Sequence, residues 1–189
     1  MGARRLILAS RSPQRRDILN QIGVQVEIRV PGVEELTSGP PEEVVLENAY
    51  RKAVAVAADA DPDGPAVLGV DTIVALGATI YGQPSDQAHA AQMLTALGGR
   101  IHRVLSGVCL IAGGRPVTAV AVTAVEFRSL SPDLLSWYLA TGEWSGRAGS
   151  YAIQGHGAVL VKRIEGDYLN VVGLPVSTLL ELAPDLIAA

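Results

Sequence analysis

Apolar positions along this chain switch repeatedly between strand and helix spacing, and the switches outline an alternating series of elements. The run LILA closes at Ser10, and from Pro13 onward Ile18, Leu19 and Ile22 recur at helical intervals. Residues 5–9 therefore read as a strand and 13–22 as a helix. A short strand is expected at 26–30, then a polar loop carrying Glu34, Glu35, Pro40 and Pro41. From Glu42 to about Asp59, Val45, Ala49, Ala53, Val56 and Ala57 form one helical stripe, with Asn48 and Lys52 one turn apart at its edge. The segment VLGVDTIVAL, 67–76, has the composition of a strand buried on both faces, and Thr79 to Tyr81 returns after a turn at Gly77. A helix over 85–97 ends at Gly98 and Gly99. Strands at 103–111 and 116–127, joined by AGGR, read as an antiparallel hairpin. A helix opened by Ser131 and Pro132, a glycine-rich segment, a strand at 158–164 and a helix at 175–182 complete the pattern. Strands and helices alternate without regular parallel crossovers, which predicts an α/β fold with a mixed, curved sheet flanked by helices.

At 189 residues and 49% hydrophobic content, the chain has enough apolar material for one full domain, or one domain split by a cleft. A net charge of −4 and a pI near 5.3 argue against a general nucleic-acid binder, so any phosphate must be held locally. Every apolar run is interrupted well short of the roughly 20 residues that span a bilayer. The opening MGARR leads into the first strand with no cleavable apolar segment, and the single Cys109 excludes an intrachain disulfide, so a reducing cytoplasm is expected. Cys109 lies in GVCLIAG, where a buried, inert thiol is expected.

Candidate chemistry is concentrated at a few places. Ser12 is a natural N-cap and Pro13 suits the first helical position, so the helix start offers unpaired N–H groups to an anion, with Ser10 beside it. Arg15 falls on the inward stripe of that helix and needs a partner, either a buried carboxylate or a bound phosphate. Asp71 lies in the middle of an apolar strand, where an ionised carboxylate is costly without compensation, so it marks a metal, a reaction or an ion pair. Together with Glu34 and Glu35 it supplies oxygen ligands suited to magnesium bridging to phosphate. There is no GxxxxGK[ST] and no strand followed by GxGxxG. The segment AGSYAIQGHG places Gln154 among glycines, and its amide has the donor and acceptor needed to read a nucleobase edge. His102 and His156 lack metal-ligand spacing and are expected to cap or pack, and Glu165 and Asp167 to be solvated.

The segments LILASRSPQRR, ENAYRKA, VLGVDT, the GQP turn followed by Asp86, AGSYAIQGHG and IEGDYLNVVGLP, in this order, resemble the Maf family of nucleoside triphosphate pyrophosphatases over nearly the whole chain. The resemblance implies a Maf/ITPase-like fold with a central nucleotide-binding cleft, usually a cytoplasmic homodimer. It implies hydrolysis of a nucleoside triphosphate to the monophosphate and pyrophosphate, with a divalent cation, magnesium or manganese, in a house-cleaning role. Carried onto this sequence, Asp71 is the base that activates water for attack at the α-phosphorus, and Asp71 with Glu35 holds the metal. Ser10, Ser12, Arg15, Lys52 and Gln83 fall at phosphate-binding positions, and Gln14, Thr72 and Gln154 at positions of base selectivity. Two of these depart from the family pattern: Gln14 stands where Arg usually follows SP, and Gln83 where the turn usually has Lys. Each loses a charged donor worth on the order of 1.5–3 kcal/mol. Thr72 and Gln154 match members that prefer dTTP and UTP, the branch acting on 7-methyl-GTP having other residues there, while Gln14 matches neither. A reading from another class is a nucleotide-binding regulator of cell division, catalytically weakened through Gln14 and Gln83. Retention of Asp71, Glu35 and Lys52 favours the enzyme.

Overall fold

The structure, a computed structural model, describes residues 5–187, so all but the last residue of the MGARR opening lies outside the described residues. The strands are β1 (Arg5–Ala9), β2 (Gln25–Ile28), β3 (Ala66–Leu76), β4 (Thr79–Tyr81), β5 (Ile101–Ala112), β6 (Arg115–Phe127) and β7 (Val161–Glu165). The helices are α1 (Pro13–Gln21), α2 (Pro41–Ala57), α3 (Gln87–Leu97), α4 (Pro132–Ala140), α5 (Tyr168–Val172) and α6 (Val176–Leu182). One sheet runs in the order β2-β1-β3-β5-β6-β7, with β4 paired to β3. β1 is parallel to β2 and β3 and the other pairings are antiparallel, the mixed sheet that the alternation of elements predicts. No helix among the described residues is long and apolar enough to cross a membrane.

Alternation along the strands sends successive side chains into different cores. Leu6, Leu8, Leu68, Val70, Val108 and Leu110 pack against Ile18 and Leu19 of α1 and Leu179 of α6. On the opposite face Ile7, Ala9, Val67 and Cys109 pack against Ala49, Ala53 and Val56 of α2. The far half of β3 belongs to another core, in which Val74, Val104, Val125 and Phe127 meet Leu94 and Leu97 of α3, Tyr138 of α4 and Leu160. Cys109 is buried as expected, and burial pushes its thiol pKa up to about 11, which keeps it protonated.

The long strand β3 thus joins two differently covered halves, and its edge is open between them. β1 ends at Ala9, opposite Gly69, and β4 begins to pair only at Val74. Among the described residues, 70–73 have no strand neighbour on that side, and this gap, which contains Asp71 and Thr72, opens the cleft. Glycines decide how closely α2 covers it. A Cβ at Gly69 would lie 2.2 Å from the Ala49 carbonyl oxygen, and one at Gly107 2.1 Å from that of Val45. Helix backbone therefore rests on strand backbone at two points around Asp71.

Three expectations are corrected, and one helix is added. Residues 158–160 are not strand: His156–Leu160 forms a 3₁₀ turn, because Gly157 folds onto the Ala152 backbone, and β7 starts at Val161. The short helix α5 has no counterpart in the apolar periodicity, since five residues complete barely more than one turn. Asp167 is not merely solvated, because its carboxylate caps α5 by accepting the Leu169 N–H at 2.7 Å. β2 ends at Ile28, and Val30 instead enters the cleft wall.

Candidate active site

α2 brings Lys52 and Asn48 over the middle of β3, and the two side chains meet Asp71 there. Lys52 Nζ lies 2.6 Å from Asp71 Oδ1, and Asn48 Nδ2 donates to Asp71 Oδ2 at 3.0 Å. Asp71 and Lys52 are only 5% and 6% exposed, which makes this a buried ion pair with one donor on each carboxylate oxygen. The same ammonium reaches Glu35 Oε1 at 2.7 Å, so two carboxylates share one cation. Asn48 also fixes the Glu35 loop, accepting the Leu36 N–H at 2.7 Å and donating to the Leu36 carbonyl at 2.9 Å. Glu34 does not line the cleft, whereas Glu35 does.

Arg15 occupies the opposite face of the sheet and is 9% exposed. Its Nε donates to the Gly173 carbonyl at 2.9 Å, Nη1 to Ser10 Oγ at 2.9 Å and Nη2 to Thr72 Oγ1 at 3.0 Å. Among the described residues it makes no ion pair with a carboxylate, and its protein acceptors are all neutral oxygens. Burial pushes its pKa down, and the fields of Asp71 and Glu35 oppose that shift. Ser10 Oγ also accepts the Ser12 N–H at 3.1 Å, which leaves its hydroxyl proton for a ligand. Ser12 caps α1, and its hydroxyl donates to Gln14 Oε1 at 3.1 Å, so Gln14 stands at the helix start.

The third wall comes from the turn after β4 and the strap between α4 and β7. Gln83, Arg147 and Gln154 all line it. The Gly149 N–H donates to the Gly82 carbonyl at 3.1 Å, stitching the strap to the turn that carries Gln83. Gly149 and Ser150 are successive left-handed residues, with φ of 65° and 64°. Such a conformation at a non-glycine residue costs of order 1–3 kcal/mol, and Ser150 is held in it by full burial and a hydrogen bond to Met93 Sδ. Arg147 and Gln154 make no side-chain hydrogen bond or ion pair among the described residues, so both are available to a ligand. By contrast Arg16 pairs with Asp17 on the surface and Lys162 with Glu126.

Together these walls enclose a cleft of about 1000 Å³, lined by four cations, Arg11, Arg15, Lys52 and Arg147, against two carboxylates, Glu35 and Asp71. An excess of positive charge inside an acidic protein marks a site for a polyanion. A sequence profile described as Maf-like protein matches residues 5–186. The chain belongs to the Maf-like protein family. It is 41% identical to the dTTP/UTP pyrophosphatase of Pyrococcus furiosus over 181 residues, 95% of this chain and 94% of that protein. It is 45% identical to the dTTP/UTP pyrophosphatase of Symbiobacterium thermophilum over 172 residues, 90% of this chain and 88% of that one. The solved HAM1 protein of Coxiella burnetii shares the fold, with a TM-score of 0.51 at 14% identity over 95% of this chain and 100% of that chain.

Every candidate position carried over from the Maf family, from Ser10 to Gln154, lines this one cleft. Four contributors, Asn48, Arg147, Gly69 and Gly107, were not assigned to the site from the sequence. Asn48 was visible only as a polar residue beside Lys52, and its bridge between Asp71 and Leu36 depends on tertiary contact. Arg147 carries no motif, and only its place on the cleft wall marks it. Gly69 and Gly107 did leave a signal, since glycine inside an otherwise apolar strand marks close backbone approach.

Proposed function

We propose that this Maf-like chain, acting as a single nucleotide-pyrophosphatase domain, hydrolyses nucleoside triphosphates to the monophosphate and pyrophosphate, with dTTP and UTP preferred. The observation that carries the reading is the buried Asp71, held by Lys52 and Asn48 at the open edge of β3 and facing a cation-rich cleft. A carboxylate kept inside an apolar strand serves a reaction better than a scaffold. The names of the relatives at 41–45% identity support the same activity and substrates.

Asp71 is the base in this reading. Its Oδ1 is tied to an ammonium and is the poorer proton acceptor, whereas Oδ2 keeps a lone pair beside the neutral Asn48 amide and can orient and deprotonate a water. Arg15, Ser10 and the α1 N-terminus hold the phosphate chain on one side and Lys52 and Arg147 neutralise it on the other, so most of the rate enhancement is positional and electrostatic. Because Arg15 already has its Nε, Nη1 and Nη2 pinned by neutral oxygens, it reaches the substrate pre-oriented. Thr72, fixed by Arg15 and 2.8 Å from Ser106 Oγ, and the free amide of Gln154 present the polar groups that select the base, with Gln14 at the third position.

No group of three or more His, Cys, Asp or Glu that could hold a metal occurs among the described residues. Glu35 and Asp71 share the Lys52 ammonium, and both line the cleft, so their remaining carboxylate oxygens together with those of a bound triphosphate would offer magnesium or manganese the hard oxygen donors it prefers. Bound there, a divalent cation supplies charge neutralisation of the phosphates. A cytoplasmic homodimer completes the proposal, supported by the family resemblance and measured by light scattering of the purified protein.

The test is product analysis with dTTP, UTP, CTP, GTP and 7-methyl-GTP in magnesium or manganese. Equal amounts of monophosphate and pyrophosphate, fastest from dTTP and UTP, are expected. A purine substrate winning overturns the selectivity.

A further inference from the structure

Gln154 stands at the cleft with no side-chain hydrogen bond of its own among the described residues, so its place is set by the loop that carries it. That loop, residues 152–157, hangs from the end of α4. Glu143 Oε1 accepts the His156 N–H at 3.0 Å, and Glu143 Oε2 accepts the Gly157 N–H at 2.7 Å. At the loop's other end Tyr138 Oη accepts the Ala152 N–H at 3.3 Å. Burial, and then the adjacent Glu143 carboxylate, push the Tyr138 phenol pKa upward, so the hydroxyl stays protonated.

The fit is specific to this side chain. A Cβ at Gly155 would lie 1.8 Å from Glu143 Oε1, so glycine there leaves room for the carboxylate under the loop. Glu143 is itself positioned by its own N–H, which donates to Thr141 Oγ1 at 3.2 Å, and by Trp144 Nε1, which donates to the Leu139 carbonyl at 3.0 Å. Its side chain is 18% exposed, pairs with His156 Nδ1 at 3.5 Å and does not line the cleft. A carboxylate that takes two backbone N–H groups makes charge-assisted bonds, roughly twice as strong as neutral ones. Among the described residues these two bonds are the side-chain hydrogen bonds that reach residues 156 and 157.

We propose that Glu143 is a positioning residue for base selection: by gathering the His156 and Gly157 N–H groups, it fixes where the Gln154 amide stands and so sets nucleobase preference without touching substrate. This rests on the reading of Gln154 as a base contact. A glutamine at 143 accepts one N–H and turns its own donors toward the other, releasing that end of the loop while keeping the side chain's size.

The experiment compares Glu143→Gln, Tyr138→Phe, Gln154→Ala and the double variant Glu143→Gln/Gln154→Ala, with melting temperature and pyrophosphate inhibition measured on each. Glu143→Gln is expected to raise KM for dTTP about tenfold and to shrink the dTTP-to-CTP ratio of kcat/KM by a similar factor. Pyrophosphate inhibition and kcat stay near wild type. Tyr138→Phe shifts the ratio in the same direction by less, and tests the proposal should the Glu143 variant fold poorly. The double variant is no less selective than Gln154→Ala alone. A folded Glu143→Gln with wild-type selectivity, or effects that add to those of Gln154→Ala, overturns the proposal alone. Unchanged selectivity in Gln154→Ala removes the reading of Gln154 itself, and the proposal with it.

Discussion

Gly107→Ala probes the contact that assembles the site from the greatest remove. Gly107 pairs with Asp71 across β3 and β5, and α2 passes directly above both. An added Cβ would meet the Val45 carbonyl oxygen at 2.1 Å, the Val45 carbonyl carbon at 2.4 Å and the Leu46 nitrogen at 2.8 Å, all of them helix backbone. Ordinary contact begins at 3.4 Å, so the helix must lift locally by more than an ångström, and no flexible side chain absorbs the clash. Asn48 and Lys52 follow Val45 along the same helix, and their bonds to Asp71 at 3.0 and 2.6 Å have no slack for such a shift. Overpacking of this kind costs typically about 1–3 kcal/mol, which lowers the melting temperature by roughly 2–4 °C per kcal/mol at this chain length. Displacing catalytic groups by about an ångström costs on the order of a hundredfold in rate. Thermal unfolding by circular dichroism, followed by pyrophosphate release, measures both. Gly32→Ala is the control, since nothing lies within 4 Å of its Cβ position. A Gly107→Ala protein with wild-type melting and wild-type kcat would refute the claim that backbone contact sets the Lys52–Asp71 geometry.

Lys52→Met strands Asp71 in a buried site and should destabilise the fold by about 3–5 kcal/mol in urea titration. Adding Asp71→Asn should recover much of that loss while activity stays absent. Arg147→Gln should weaken pyrophosphate inhibition about tenfold, or roughly 1.4 kcal/mol, with an unchanged melting temperature. Unchanged inhibition would exclude Arg147 from the phosphate site. His102 is buried between Phe127 and Tyr151, and burial pushes its pKa down to about 4 from 6.5. The unfolded chain therefore binds a proton that the folded chain refuses between those values. Stability contributed by neutral His102 is full above pH 6.5 and falls as pH drops toward 4, by roughly 3 kcal/mol in all. His102→Phe should flatten this part of the melting curve against pH while losing the 2.9 Å bond to the Tyr151 hydroxyl; a slope unchanged in the variant would reject the assignment.

Much of the fold was legible because β3 has the composition of a strand buried on both faces and β5 and β6 are long strands joined by a short glycine-containing turn. What escaped was decided by a few residues. The 3₁₀ turn at His156–Leu160 follows from Gly157 meeting Ala152, a contact that apolar content at Ala158, Val159 and Leu160 masks. The site was legible residue by residue but not as an arrangement. Asp71 declared itself by its unfavourable surroundings, yet its partner across the helix interface is Lys52, not Arg15. Arg15 was read as needing a carboxylate or phosphate partner; three neutral oxygens orient it toward the cleft, an arrangement its spacing did not show. Gln83 raised the question of a missing cation, and Arg147, on the strap stitched to the same turn through Gly149 and Gly82, lines the same cleft. Such pairings join residues far apart in sequence and arise only from packing.

The central claim is that water held by Asp71 attacks the α-phosphorus. Hydrolysis of dTTP in water enriched in heavy oxygen, with products separated and read by mass spectrometry, tests it directly beside Asp71→Asn. The account predicts the label in the nucleoside monophosphate, none in pyrophosphate, and turnover lost in the variant. Label in pyrophosphate, release of orthophosphate, or undiminished turnover in Asp71→Asn would contradict it.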